Sequence, residues 1–120
     1  MSLIINEIYY SIQGESSLAG KPCVFIRLTY CNLRCSYCDT EHAFYNGKEM
    51  SIKDIIKKIK QWPCKLIEVT GGEPLLQKEC ITLLNELIKL KYKVMLETSG
   101  SLPLNRVPSE VIKIIDFKCP

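Results

Sequence analysis

Residues 51–98 read SIKDIIKKIKQWPCKLIEVTGGEPLLQKECITLLNELIKLKYKVMLET, and this stretch decides the fold. Ile52, Ile55, Ile56, Ile59 and Trp62 recur at helical spacing. Ser51 stands at the N-cap with Asp54 three residues on as a capping-box partner, and Pro63 stops the run. Leu66 to Thr70 is a short, largely apolar strand, and Lys93 to Thr98 is another. Between them a second helix runs from about Leu76 to Leu90, with Leu76, Cys80, Leu83, Leu84 and Leu87 on one face. Helix, strand, helix and strand in alternation give βαβ units, and βαβ units build a parallel sheet.

The same pattern continues outward on both sides. Val24 to Thr29 reads as a mostly apolar strand upstream, and Val111 to Phe117 as a fourth strand downstream. Strands of this kind suit a sheet buried on both faces. The fold class is therefore α/β with parallel strands. In such sheets ligands sit at the carboxyl ends of the strands. A cluster of cysteines follows the first strand, Gly71-Gly72-Glu73-Pro74 the second, Ser99-Gly100 the third and Lys118-Cys119-Pro120 the fourth.

With 120 residues the chain is expected to form one domain, large enough to bury a core without staples. Its 47% hydrophobic and 24% charged residues are ordinary for a globular protein. The net charge of +3 argues weakly for nucleic acid, because the lysines scatter along helical stretches as a solvated face would. No run is long enough to span a membrane. The first twelve residues carry no basic residue and no cleavage site, so they are not read as a signal peptide. A cytoplasmic location follows as the expectation, and there seven cysteines call for an explanation other than disulfides.

Three of the seven crowd into Cys31-Asn32-Leu33-Arg34-Cys35-Ser36-Tyr37-Cys38. Thiolates are soft ligands that hold iron–sulfur clusters or zinc. A structural zinc site wants four ligands, and the sole histidine, His42, is the only nitrogen candidate. A cubane held by three thiolates leaves one iron free to bind a small molecule. Cys23, Cys64 and Cys80 lie in or beside strand and helix patterns and read as buried small hydrophobes, while Cys119 and His42 are left without a role.

The C-x3-C-x2-C spacing, Tyr37 before the third cysteine, and the GGEP motif at Gly71 to Pro74 together resemble the radical S-adenosylmethionine superfamily. Within it the chain resembles the 7-carboxy-7-deazaguanine synthase family. That resemblance rests on Glu7 to Glu15, on Gly20 to Leu28 running into the cysteine segment, and on Cys38-Asp39-Thr40. It extends through Glu97-Thr98-Ser99-Gly100 and Asp116-Phe117-Lys118-Cys119-Pro120.

The resemblance implies a parallel-stranded partial (β/α) barrel of the radical SAM type, here truncated after about four strands. Residues 1–120 would be the N-terminal part of the family's catalytic domain, since family members run on past the DFKCP-like segment. It implies conversion of 6-carboxy-5,6,7,8-tetrahydropterin to 7-carboxy-7-deazaguanine on the way to queuosine and related deazapurines. Implied cofactors are a [4Fe–4S] cluster on Cys31, Cys35 and Cys38, S-adenosylmethionine, and Mg2+ at Thr40. Cofactor contacts fall on Tyr37, Cys38, Asp39, Gly71, Gly72, Glu73 and Ser99. Substrate contacts fall on Ile12, Gln13, Gly14, Glu15, Arg27 and Thr70. Partners would be the small-molecule pterin, an electron donor such as flavodoxin or ferredoxin, and a second copy in a homodimer, with no nucleic acid and no membrane.

Several of these roles make chemical sense independently. Arg27 on an apolar strand is costly unless paired, and its fork suits a carboxylate of the substrate or of a structural acid. Gln13 and Glu15 offer donors and acceptors to a pterin edge, or form an ordinary polar loop. Thr40 offers a hard oxygen for magnesium, or a turn cap. Two other readings share the cysteine segment: an activase of a glycyl-radical enzyme, and a non-catalytic metal-binding protein. The activase does not explain Gln13-Gly14-Glu15 or Arg27, and the short length is the only support of the metal-binding reading.

Overall fold

The computed structural model describes residues 2–12, 20–28, 48–71, 74–98 and 104–115. In chain order these form β1 (Ser2–Ile12), β2 (Pro22–Leu28), β3 (Lys48–Ser51), α1 (Ile52–Ile59) and β4 (Leu66–Gly71). A 3-10 turn (Pro74–Leu76), α2 (Glu79–Lys89), β5 (Lys93–Thr98) and β6 (Ile112–Ile115) complete it. One six-stranded sheet has the order β3-β1-β2-β4-β5-β6. β2, β4, β5 and β6 are parallel, and they are the four strands expected from the sequence.

The sheet is larger than those four strands. β1 pairs antiparallel with β2 on one side and with β3 on the other. The Ile5–Glu7 irregularity in the β1–β2 register shifts the alternation by one residue, so Leu3, Ile5 and Ile8 all turn to the same side. β3 is a four-residue edge strand with Lys48 and Glu49 exposed.

Both helices pack on one face. Val24, Ile26 and Leu28 of β2, Ile67 and Val69 of β4, and Val94 and Leu96 of β5 join Leu3, Ile5 and Ile8 in one cluster with the helices. α1 contributes Ile52, Ile55 and Ile59, and α2 contributes Cys80, Leu83, Leu84 and Leu87. Apolar burial of this kind contributes on the order of 1.5–3 kcal/mol per fully buried aliphatic side chain.

The helix boundaries depart from the sequence reading. Ser51 caps α1, its Oγ accepting from the Asp54 N–H at 3.1 Å. α1 ends at Ile59, short of Trp62, because the chain tightens into turn bonds from Gln61 N to Lys58 O and Trp62 N to Ile59 O. Trp62 instead stacks on Tyr10, ring centroids 6.1 Å apart.

The second helix is split. Gln77 sits between the 3-10 turn and α2, buried. Its amide is spent on β1, accepting from the Ile4 N–H at 2.8 Å and donating to the Ile4 carbonyl at 3.0 Å. A glutamine thereby stands in for a strand neighbour and satisfies backbone groups that burial would otherwise orphan.

Candidate functional site

The alternation of strand side chains puts a different set of residues on the second face. Register places Glu7 opposite Arg27 and Arg27 opposite Thr70. The Thr70 hydroxyl donates to Glu97 Oε1 at 2.9 Å, and Glu97 lies opposite Ile114. This row crosses the sheet one step below the carboxyl ends of the parallel strands. The next row down is Tyr9, Phe25, Glu68, Met95 and Ile112. The second face is thus mixed in character where the first is aliphatic.

Arg27 is half exposed, its guanidinium within 3.7 Å of the Glu7 carboxylate. Its Nη2 donates to the Tyr9 hydroxyl at 2.9 Å, and its Cζ lies 5.4 Å from the Tyr9 ring centroid. Tyr9 is itself held by stacking on Phe25 at 5.1 Å and 11°. The ion pair is long and solvated, and pairs of that kind contribute little to stability, roughly 0–1 kcal/mol. An anion arriving at Arg27 therefore meets a cation that is oriented but not sequestered.

β2 and β4 come together where Leu28 pairs with Gly71. Gly71 has φ +139°, and a Cβ there would lie 2.6 Å from the Leu28 carbonyl oxygen and 3.0 Å from its nitrogen. Only glycine fits such an approach. The close contact joins the last residue before segment 29–47 to the first glycine of the GGEP motif. The two motifs thus start from neighbouring points on adjacent strands.

Arg27, Thr70 and Gly71 are therefore brought to the same end of the sheet. Ile12 is not. It pairs with Pro22 at the amino end of β2 and is 58% exposed. Five residues of strand separate Pro22 from Arg27, or about 16 Å. Gln13, Gly14, Glu15, Cys31, Cys35, Tyr37, Cys38, Asp39, Thr40, Gly72, Glu73 and Ser99 lie outside the described residues. Segments 29–47 and 72–73 and position 99 all follow the carboxyl ends of parallel strands, whereas segment 13–19 departs from Ile12. A cleft of about 420 Å³ opens beside that departure point, lined by Tyr10, Lys21, Cys64, Lys65 and Lys93 among others.

Cys23, Cys64 and Cys80 are buried, as the sequence suggested. Burial, with Glu68 and Cys64 nearby, pushes the Cys23 thiol up to about 12. A thiol held protonated in this way is a poor metal ligand and nucleophile. Among the described residues no group of three or more His, Cys, Asp or Glu side chains is placed to hold a metal. The candidate donor set for a metal is Cys31, Cys35 and Cys38. Its three soft thiolates, rooted at Leu28, fit an iron–sulfur cluster with one open iron better than a closed zinc site.

Glu7 and Glu97 of this row, and Tyr9 of the next, are not named from the sequence as site residues. A period-two reading of β1 and β5 was the signal available for them, since Glu7 and Tyr9 alternate with Ile8, and Glu97 with Leu96.

A family model described as the radical SAM superfamily matches residues 25–116. The chain is 52% identical over 118 residues to the 7-carboxy-7-deazaguanine synthase of Koribacter versatilis, covering 97% of this chain and 52% of that relative. It is 49% identical over 118 residues to the enzyme of the same name from Chlorobaculum tepidum, covering 98% and 54%. The crystal structure of QueE from Escherichia coli superposes with a TM-score of 0.81 at 26% identity, covering 99% of this chain and 61% of that one. The chain spans about half the length of the curated relatives it matches. No helix among the described residues is long and apolar enough to cross a membrane.

Proposed function

The chain belongs to the radical SAM superfamily, and on that premise we propose that it serves the conversion of 6-carboxy-5,6,7,8-tetrahydropterin to 7-carboxy-7-deazaguanine. Residues 1–120 are read as one radical SAM domain, the N-terminal part of a catalytic domain. Membership brings a [4Fe–4S] cluster and S-adenosylmethionine. The observation that carries the substrate reading is Arg27, a half-exposed oriented guanidinium beside Thr70 at the ligand-binding end of the sheet.

Cys31, Cys35 and Cys38 hold the cluster, and Thr40 offers its hydroxyl oxygen to magnesium. Held there, the cluster and S-adenosylmethionine would supply radical chemistry toward the pterin, and magnesium would supply a Lewis acid. Tyr37, Cys38, Asp39, Gly71, Gly72, Glu73 and Ser99 bind and orient the cofactor. Arg27 receives the substrate carboxylate through two parallel N–H donors. Thr70, its proton committed to Glu97, presents hydroxyl lone pairs to a substrate N–H. Gln13, Gly14 and Glu15 contact the pterin edge. A flavodoxin or ferredoxin supplies the electron, and the protein works in the cytoplasm as a homodimer.

The test is anaerobic reconstitution followed by incubation with the carboxy-tetrahydropterin, S-adenosylmethionine, magnesium and a reductant. About four irons and four sulfides should load per chain. Cys35→Ala should abolish loading and Cys80→Ala should not. Product with the mass of 7-carboxy-7-deazaguanine supports the reading. Cleavage of S-adenosylmethionine with the pterin left intact would overturn it in favour of an activase.

A further inference from the structure

We propose that Tyr9 is the positioning residue of Arg27 and that Glu7 is the internal counter-ion a ligand carboxylate displaces. This rests on the reading of Arg27 as the carboxylate receptor. Glu7 and Arg27 are direct cross-strand partners, as are Tyr9 and Phe25. Side chains of both pairs stand on the same face of the sheet, so the four form one block.

The block divides its labour by chemistry. The Tyr9 hydroxyl accepts from Nη2 at 2.9 Å, and the ring beneath lies 5.4 Å from Cζ. Phe25 fixes that ring by stacking at 5.1 Å. Tyr9 thus holds one edge and one face of the guanidinium without neutralising it. Glu7 neutralises it from the other nitrogen, Nη1, at 3.7 Å. That distance is longer than a charge-assisted hydrogen bond, which runs near 2.7–2.9 Å. With both partners about half exposed, the pair is easily opened. An incoming carboxylate exchanges one anion for another at Nη1, while the Tyr9 contact stays. Selectivity follows: a pterin without the carboxylate leaves the Arg27–Glu7 pair closed and gains nothing from it.

The experiment measures equilibrium binding of pterin-6-carboxylate and of unsubstituted pterin to the whole protein. It compares wild type, Tyr9→Phe, Glu7→Gln and Arg27→Ala. Tyr9→Phe keeps the stacking and removes only the hydroxyl. It should weaken the carboxylate ligand several-fold, raise KM with kcat little changed, and leave unsubstituted pterin alone. Glu7→Gln removes the competing anion and should tighten the carboxylate ligand several-fold, most strongly at low salt. Equal effects on both ligands, or none, with the carboxylate preference still lost in Arg27→Ala, would overturn the proposal alone. A carboxylate preference that survives Arg27→Ala overturns the receptor role of Arg27 and this proposal together.

Discussion

The two faces of the sheet are made by the same strands and obey different rules. On the helix-covered face Val24, Ile26, Ile67, Val69, Val94 and Leu96 are interchangeable in kind: aliphatic and buried to 1% or less. On the other face each position differs from its neighbour. Phe25 is followed two residues on by Arg27, Glu68 by Thr70, and Met95 by Glu97. Packing specifies the first face through volume and water exclusion, which many sequences satisfy. Chemistry specifies the second, residue by residue. Stability should therefore be carried by one parity of these strands and ligand binding by the other.

The largest expected effect breaks the first face. Ile67→Ala leaves a cavity in the centre of the helix-packed cluster and should cost about 2–5 kcal/mol of unfolding free energy, read by denaturant titration. A cost below about 1 kcal/mol would show that the cluster is not the stabilising half of the molecule. Next comes Gly71→Ala, at the seam joining the two motifs. The new methyl meets Leu28 backbone that cannot rotate away, at an unfavourable φ. Loss should be about 2–4 kcal/mol, accompanied by poorer iron loading.

Arg27→Ala sharpens the contrast from the other side. Stability should change by less than about 1 kcal/mol, because the Glu7 pair is solvated. Carboxylate binding should weaken by roughly 1.5–3 kcal/mol. A stability loss as large as that of Ile67→Ala would erase the distinction between the faces. The effect that is smallest at neutral pH belongs to Cys23, a buried member of the second face. Its thiol is ordinary at 9.0 in the unfolded chain and near 12 when folded. Below pH 9 both states keep the proton and stability is unaffected. Above it the unfolded state ionises first, so stability falls with rising pH by at most about 1.4 kcal/mol per unit until the folded thiol ionises. Subtracting the pH profile of Cys23→Ala from that of wild type should isolate this slope; a flat difference would mean the thiol titrates normally.

What the sequence showed and hid follows from the same physics. Three of the four parallel strands, β2, β4 and β5, were legible because most of their residues are buried, which leaves nearly continuous apolar runs; β6, more exposed, was legible from its isoleucines. β1 was not read as a strand because the irregularity after Ile5 spaces its buried residues at 3, 5 and 8, which fits neither period cleanly. β3 carries only Met50 as an apolar residue and leaves no pattern at all. The first helix was read too long because Trp62 falls three residues after Ile59, a helical interval that a turn also provides. In the second, Gln77 breaks a helix that periodicity alone would continue, through a partner 73 positions away. Of the site, Arg27 stood out as a cation on an apolar strand, while Thr70 and Gly71 came from the family resemblance. Tyr9, Glu7 and Glu97 needed the register, which no single strand contains.

Gln77 has a practical corollary for spectroscopy. Its side chain clasps the Ile4 amide three residues after Pro74 closes the GGEP motif. That amide proton leaves for solvent only when the turn after the motif lifts from β1. Its hydrogen–deuterium exchange rate is therefore a local clock for the motif's seating, read on the antiparallel strand β1. A ligand that settles the motif should slow the Ile4 clock while amides in the middle of α1, where no such clasp exists, keep their pace.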